Sequence, residues 1–252
     1  MIKIQNVTFH HGQSQILNDI SLDIPKTGVT ALIGPNGAGK STLFAVMARL
    51  LPIQSGSISF DGTDIRQTAS RDLARKLAIM RQDTHFASRI TVRDMVGFGR
   101  FPHHQGRVSQ EDREKVAEAL KEFDLADLAD RFVDELSGGQ RQRVFVAMAY
   151  AQDTDYLLLD EPLNNLDMHH ARNLMRQLRA LADDHGKTIV VVLHDINYAA
   201  AYADRIIALK QGSIAANDET DAFMCDEIVS QVYDMDVRIQ TVEGQKIALH
   251  HI

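Results

Sequence analysis

The stretch GPNGAGKST at residues 34–42 restricts what this chain can fold into more than any other. A glycine, four residues and then Gly39-Lys40-Ser41 follow an apolar run at residues 29–33 (VTALI), and a helical pattern continues through residues 43–50. Strand, glycine loop and helix in that order are the parts of a phosphate-binding loop. Gly34, Gly37 and Gly39, with Pro35, Asn36 and Ala38 between them, let the backbone turn its N–H groups toward phosphates. Lys40 adds a point charge near the β- and γ-phosphates. Ser41 and Thr42 open a helix whose N-terminus favours an anion, and the Ser41 hydroxyl suits Mg2+. The expected chemistry is nucleotide triphosphate binding.

At 252 residues the chain is long enough to bury a full core as one large domain. No Ser/Gly-rich linker, low-complexity tract or internal repeat interrupts it. A net charge of −7 argues against a nucleic-acid partner, which calls for clustered Lys and Arg on one face. Cys225 is the single cysteine and allows no internal disulfide, and Met1 leads directly into a strand pattern; both point to the cytoplasm. No apolar run approaches the roughly 18 residues of a membrane span, so a membrane role is expected only through a partner.

Along the chain, residues 2–9 and 16–24 alternate apolar with polar and are expected to pair antiparallel. Residues 52–56 read as a turn, 57–60 as a strand and 73–82 as a second buried strand ending in Arg81-Gln82. From about residue 91 to 151 the texture is helical. Ser109 opens one helix with acidic residues in its first turn. Residues 97–107, rich in glycine, aromatics and cations, read as a surface loop or a partner contact. Ser137 and Gln140 make a second capping box, and Gly138 and Gly139 between them make that helix start a second candidate phosphate site. On local physics alone an ordinary capped helix is the favoured reading.

The runs at residues 156–159 and 188–193 look like central strands of a parallel sheet and end in Asp160-Glu161 and His194. Ligands of open parallel sheets sit beyond the C-terminal strand ends. The runs ending at Gly34, Gln82, Asp160-Glu161 and His194 are thus expected to bring their polar groups to one edge. There one carboxylate of the Asp160-Glu161 pair suits Mg2+ ligation, and the other, with His194 opposite, suits positioning or deprotonating a water. Residues 167–182 form an amphipathic helix, 205–209 with 213–215 a hairpin, and about 226–233 a short helix. The histidine pairs at 103–104, 169–170 and 250–251 read as solvated surface, because adjacent histidines on separated segments chelate poorly.

Taken together, GPNGAGKST, Gln82, LSGGQ at residues 136–140, YLLLDEP at 156–162, Asn164-Asn165-Leu166-Asp167 and His194 resemble, in content and order, the motifs of ATP-binding cassette ATPases. The resemblance covers nearly the whole chain. It implies an α/β fold: a P-loop NTPase core with a mainly parallel sheet, an N-terminal antiparallel β part and an inserted α-helical lobe. It implies one domain over 1–252, with the core at 1–88 and 152–252 and the lobe at about 89–151. The implied cofactors are ATP and Mg2+, the metal held by Ser41, Gln82 and Asp160. Glu161, His194, Gln82 and Lys40 are the implied catalytic residues. Residues 34–42 hold the nucleotide together with Ser137, Gly138, Gly139 and Gln140 of a second copy in an ATP-bound head-to-tail homodimer. His11 stands where the family stacks an aromatic ring on adenine, and Asn165 where many members have alanine.

The run at residues 160–168 and the Gly99-Arg100-Phe101-Pro102 stretch resemble the ATPases of iron-siderophore importers. That branch implies a polytopic membrane permease as partner, a substrate-binding protein acting indirectly, and peripheral attachment at the cytoplasmic face of the membrane. Import of haem or cobalamin, and a soluble cassette ATPase acting on ribosomes or DNA, are the alternatives.

Overall fold

The computed structural model describes residues 1–81 and 89–250. The chain divides into two compact units, Met1–Thr68 with Thr188–Ile252, and Ala69–Lys187. The first unit opens with β1 (Ile2–His11) and β2 (Ser14–Ile24), antiparallel as their alternation requires, with Ile2, Ile4, Val7 and Phe9 turned into the core. β3 (Gly28–Ile33), apolar apart from Thr30, is buried from Val29 onward, and the glycine loop leads from it into α1 (Lys40–Met47). β4 (Ser55–Phe60) and the short β5 (Thr63–Asp64) complete a sheet ordered β2-β1-β4-β5. β4 begins inside the turn expected at 52–56. Gly56 is strand because it lies against β1, where a Cβ would come within 2.2 Å of the Gln5 carbonyl oxygen.

The second unit starts with α2 (Ser70–Ala74) and β6 (Leu77–Met80), so the strand expected over residues 73–82 is shorter and follows a helical turn. Leu73 is buried from that helix instead. Next come α3 (Val92–Gly97), N-capped by Thr91, a 3-10 turn at Phe98–Arg100, and α4 (Phe101–His104). Residues 97–104 are therefore helical rather than a surface loop, and the reason is packing. A Cβ on Gly99 would lie 2.1 Å from the Met148 carbonyl oxygen, so only glycine permits that approach. Arg100 is buried, while Phe98 and Phe101 remain exposed.

α5 (Gln110–Glu122) starts with the reciprocal Ser109–Asp112 capping box, and α6 (Gly138–Ala151) with the Ser137–Gln140 box. β7 (Tyr156–Asp160) is buried throughout and runs parallel to β6. α7 (Met168–His185) turns Leu174, Leu178 and Leu181 inward and stops at Gly186, which takes the left-handed conformation.

The chain then returns to the first unit. β8 (Thr188–Val192) pairs parallel with β3; α8 (Ile196–Tyr202) follows. β9 (Arg205–Lys210) and β10 (Ser213–Glu219) form the expected hairpin, and β9 lies parallel to β3 on its other side. α9 (Thr220–Phe223), α10 (Asp226–Tyr233) and a terminal hairpin of β11 (Arg238–Val242) and β12 (Gln245–Leu249) end the chain. Asn197 of α8 clamps that hairpin, its Nδ2 donating to the Ala248 carbonyl and its Oδ1 accepting from the Ala248 N–H.

One buried ion pair organises the second unit. The Arg100 Nε donates to Asp112 Oδ1 at 3.0 Å, and its Nη1 to the Ala151 carbonyl at 3.1 Å, tying the 3-10 turn to α5 and the end of α6. Burial works to raise the Asp112 pKa, but the Ser109 hydroxyl and amide and then Arg100 outweigh it and hold it at about 2. A carboxylate depressed in this way stabilises the fold above its unfolded pKa of about 3.9, and the contribution is lost as pH falls through 2. Asp112→Ala leaves a buried guanidinium unpaired and should cost about 3–5 kcal/mol in urea unfolding at neutral pH. The gap from wild type should narrow steadily below about pH 4.

Candidate nucleotide site

The glycine loop is shaped by neighbours that leave no room for side chains at Gly34 and Gly39. Gly34 has φ 136°, and a Cβ there would stand 2.0 Å from the Leu209 carbonyl oxygen of β9. Gly39 has φ 100°, with Leu17 Cδ2 and the Ile16 carbonyl oxygen of β2 at 2.9 and 3.0 Å from its would-be Cβ. The turn between β9 and β10 braces the loop from behind: the Gly212 N–H donates to the Ala38 carbonyl at 3.1 Å, and the Asn18 N–H to the Gly212 carbonyl at 2.8 Å. The Ala38 N–H closes the loop onto the Pro35 carbonyl.

Inside this loop Lys40 is buried, its ammonium donating to the Gly34 carbonyl at 2.7 Å and the Pro35 carbonyl at 3.1 Å. Gly39 caps α1 without a side chain, so no side-chain oxygen serves the first amides of that helix. A buried cation beside a helix start without a side-chain cap fits a triphosphate. Asn36, Gly37 and Ser41 are exposed, Pro35 and Thr42 half-buried, and His11 is exposed at the end of β1, opposite Ser14. Leu32 of β3 pairs with Val192 of β8, so Gly34 and His194 leave the sheet at the same end of neighbouring strands. His194 is exposed there. It borders a cavity of about 650 Å³ shared with Asp195 and Tyr233, whose phenol is pushed up to about 12 by burial and then by Asp195.

The second unit carries the carboxylates. Met80 of β6 pairs with Leu159 of β7, so Arg81 and Asp160-Glu161 leave that strand pair at one end. Gln82 lies outside the described residues. Asp160 and Glu161 are both buried, and Glu161 takes φ 51°, a left-handed backbone rare for a residue with a side chain. Its Oε2 accepts from Asn164 Nδ2 at 2.5 Å, and its carbonyl accepts from Gln142 Nε2 at 3.5 Å.

The helix start expected as a second phosphate site is exposed at Ser137 and Gly138. Ser137 Oγ accepts from the Gln140 N–H, while Gln140 Oε1 accepts from the Ser137 N–H, so Gln140 holds Ser137 in place. The segment before α7 lies on the two glycines: a Cβ on Gly138 would sit 3.5 Å from Asn165 Cβ, and one on Gly139 3.1 Å from Leu166 Cδ2. Gln142 and the Asn164 contact were missed in the sequence. A buried polar side chain on the otherwise apolar face of α6 was the available signal for Gln142.

Strand, glycine loop, buried lysine and helix define a P-loop protein that binds a nucleotide triphosphate. The chain belongs to the ABC transporter family, whose model matches residues 17–164. It is 45% identical over 250 residues, 99% of either chain, to the petrobactin import ATP-binding protein YclP of Bacillus subtilis (strain 168). To the petrobactin import ATP-binding protein FatE of Bacillus anthracis it is 45% identical over 244 residues, 97% of either chain. Among solved structures, the dimeric post-hydrolysis state of an ATP-binding cassette bound to ADP and Pi matches with a TM-score of 0.78 at 30% identity, over 87% of this chain and 99% of that one. The fold is the expected P-loop NTPase type, and the chain is an ATP-hydrolysing ABC ATPase.

The two loop glycines separate by the space around them. Gly34→Ala adds its clash with Leu209 to the cost of its positive-φ backbone, so it should destabilise the fold by about 2–5 kcal/mol and weaken ATP at least about tenfold. Gly37→Ala meets no atom within 4 Å and should cost only the roughly 1–2 kcal/mol of its left-handed backbone. Urea unfolding with ATP titration of both variants checks this; equal losses would contradict the packing account.

Proposed function

We propose that the chain is the ATPase subunit of an importer that carries an iron-siderophore-type substrate through a polytopic membrane permease, driven by closure of a head-to-tail homodimer on ATP. The observation that carries this reading is the likeness along the full chain to two petrobactin import ATP-binding proteins. A second support is chemical. One chain holds two phosphate-type sites, the loop in the first unit and the capped start of α6 in the second, and a dimer gives both a use.

In this reading the cassette is one domain, with the core at 1–88 and 152–252 and the lobe at about 89–151. Residues 34–42 wrap the phosphates, Lys40 moves its ammonium from loop carbonyls to phosphate oxygens, and His11 stacks on adenine. Ser137, Gly138 and Gly139 of the second copy close over the γ-phosphate, with Gln140 holding Ser137. Ser41, Gln82 and Asp160 hold Mg2+, a hard cation suited to their oxygens, which supplies neutralisation of phosphate charge.

Glu161 accepts a proton from water as its oxygen attacks the γ-phosphorus and the bond to the β-phosphate oxygen breaks. Asn164 aims the Glu161 carboxylate through the contact described above. His194 and Gln82 orient the water and the γ-phosphate. The permease contact falls near Gln82 and on the helical lobe, where Phe98 and Phe101 are exposed. No helix among the described residues is long and apolar enough to cross a membrane. In this reading the subunit attaches peripherally at the cytoplasmic face through the permease. The substrate-binding protein acts through the permease.

Glu161→Gln keeps the size of the side chain and removes the proton acceptor. Turnover should fall by about 10² to 10⁴-fold. ATP binding should survive, and size-exclusion chromatography with ATP should show the variant as a dimer where wild type runs mostly as a monomer. Wild-type turnover, or failure to dimerise, would refute the assigned base or the assigned dimer.

A further inference from the structure

Where the segment after β7 enters α7, Asp167, His169 and His170 form a group with no role in the hydrolysis steps proposed above. Asp167 caps α7, its Oδ1 accepting from the His170 N–H at 2.8 Å and lying 2.8 Å from His170 Nδ1. His169 stands beside it, with its Nε2 3.3 Å from Asn173 Nδ2 one turn further along. The two imidazoles meet edge to face, with centroids 5.4 Å apart. One ligand atom from each of Asp167, His169 and His170 falls within 4.8 Å of the other two. We propose that these three residues form a binding site for a first-row divalent cation of the imidazole-preferring class, with Zn2+ as its representative.

The donor set selects the cation. One carboxylate and two imidazoles suit Zn2+, Co2+ or Ni2+, whereas Mg2+ and Ca2+ favour oxygen ligands throughout. The geometry is close to what such an ion needs. Bonds of about 2.1 Å at tetrahedral angles place ligands roughly 3.4 Å apart. Exposed side chains on the first turn of a helix can close that distance by rotation, leaving the fourth position to water. The N-terminal dipole of α7 opposes a cation, and the Asp167 carboxylate offsets it. Adjacent histidines alone chelate poorly; the third ligand arrives because the helix start folds Asp167 back over His170.

The site is also placed to matter. Asn165 and Leu166, immediately before Asp167, lie against Gly138 and Gly139. A cation that fixes Asp167 to two helix residues stiffens the segment packed on the LSGGQ glycines, so an occupied site should slow ATP turnover. This coupling rests on the ATPase reading above, whereas cation binding itself does not.

The test uses the full chain without an affinity tag and without nucleotide, titrated with Zn2+ against a chromophoric chelator. Wild type should bind one equivalent in the micromolar range. His169→Gln/His170→Gln should weaken it by more than the roughly 10- to 100-fold lost when only a group that orients a ligand is removed. Asp167→Asn, which retains a capping side chain, should weaken it too, so loss of the helix start is not the cause. At fixed excess Mg2+ and buffered free Zn2+, ATP turnover should fall in wild type and hold in the double histidine variant. Absence of micromolar binding in wild type, or equal affinity in wild type and variants, overturns the site. Equal inhibition of both proteins overturns the coupling.

Discussion

A buried ammonium surrounded by backbone carbonyls is the interaction on which the rest of this structure depends. Lys40 lies inside its own loop, bonded to the carbonyls of Gly34 and Pro35. A cation out of water costs several kcal/mol unless its donors are matched. The loop supplies that match only because Gly34 and Gly39 adopt backbone conformations closed to other residues. Those conformations in turn need β9, β2 and the Gly212 turn behind them. The parallel strands β3, β8 and β9 thus serve less as a generic core than as the mould for one loop. In the proposed bound state a triphosphate would replace these two carbonyls with stronger, charged acceptors, which would give the loop its selectivity for anions.

The second unit is organised by different physics. Asp160 and Glu161 are carried on a strand buried on both faces, and Glu161 is held in a left-handed backbone with Asn164 against its carboxylate. Strain of this kind persists only where the surroundings over-determine it. Here the surroundings are Gln142 from α6 and the tight turn through Asn164. The same turn ends on the LSGGQ glycines, so the proposed base and the proposed partner-facing site share one short piece of chain. A change at either end is felt at the other.

What could be read in the sequence was what local rules control. The glycine loop, both capping boxes, the buried strands at 29–33, 156–159 and 188–193 and the leucine stripe of α7 each depend on residues within a few positions of one another, and each appears where the pattern placed it. The surface-loop reading fails over residues 97–104 because their structure comes from afar: Gly99 is helical for the sake of the Met148 carbonyl, and Arg100 for Asp112. The strand expected over residues 73–82 was too long for a related reason, since an apolar run does not reveal where a helical turn hands over to a strand. The Asp167, His169 and His170 group was invisible because pairs of histidines were weighed without the carboxylate that a helix cap folds back onto them.

The account stands or falls on the charge inside the loop. Lys40→Met keeps the buried stem and removes the ammonium, and its ATP affinity at equilibrium, measured beside wild type with Mg2+ present, tests that charge directly. Charged hydrogen bonds of about 1.5–3 kcal/mol predict affinity weakened by about 10- to 150-fold. An affinity equal to that of wild type would contradict the account.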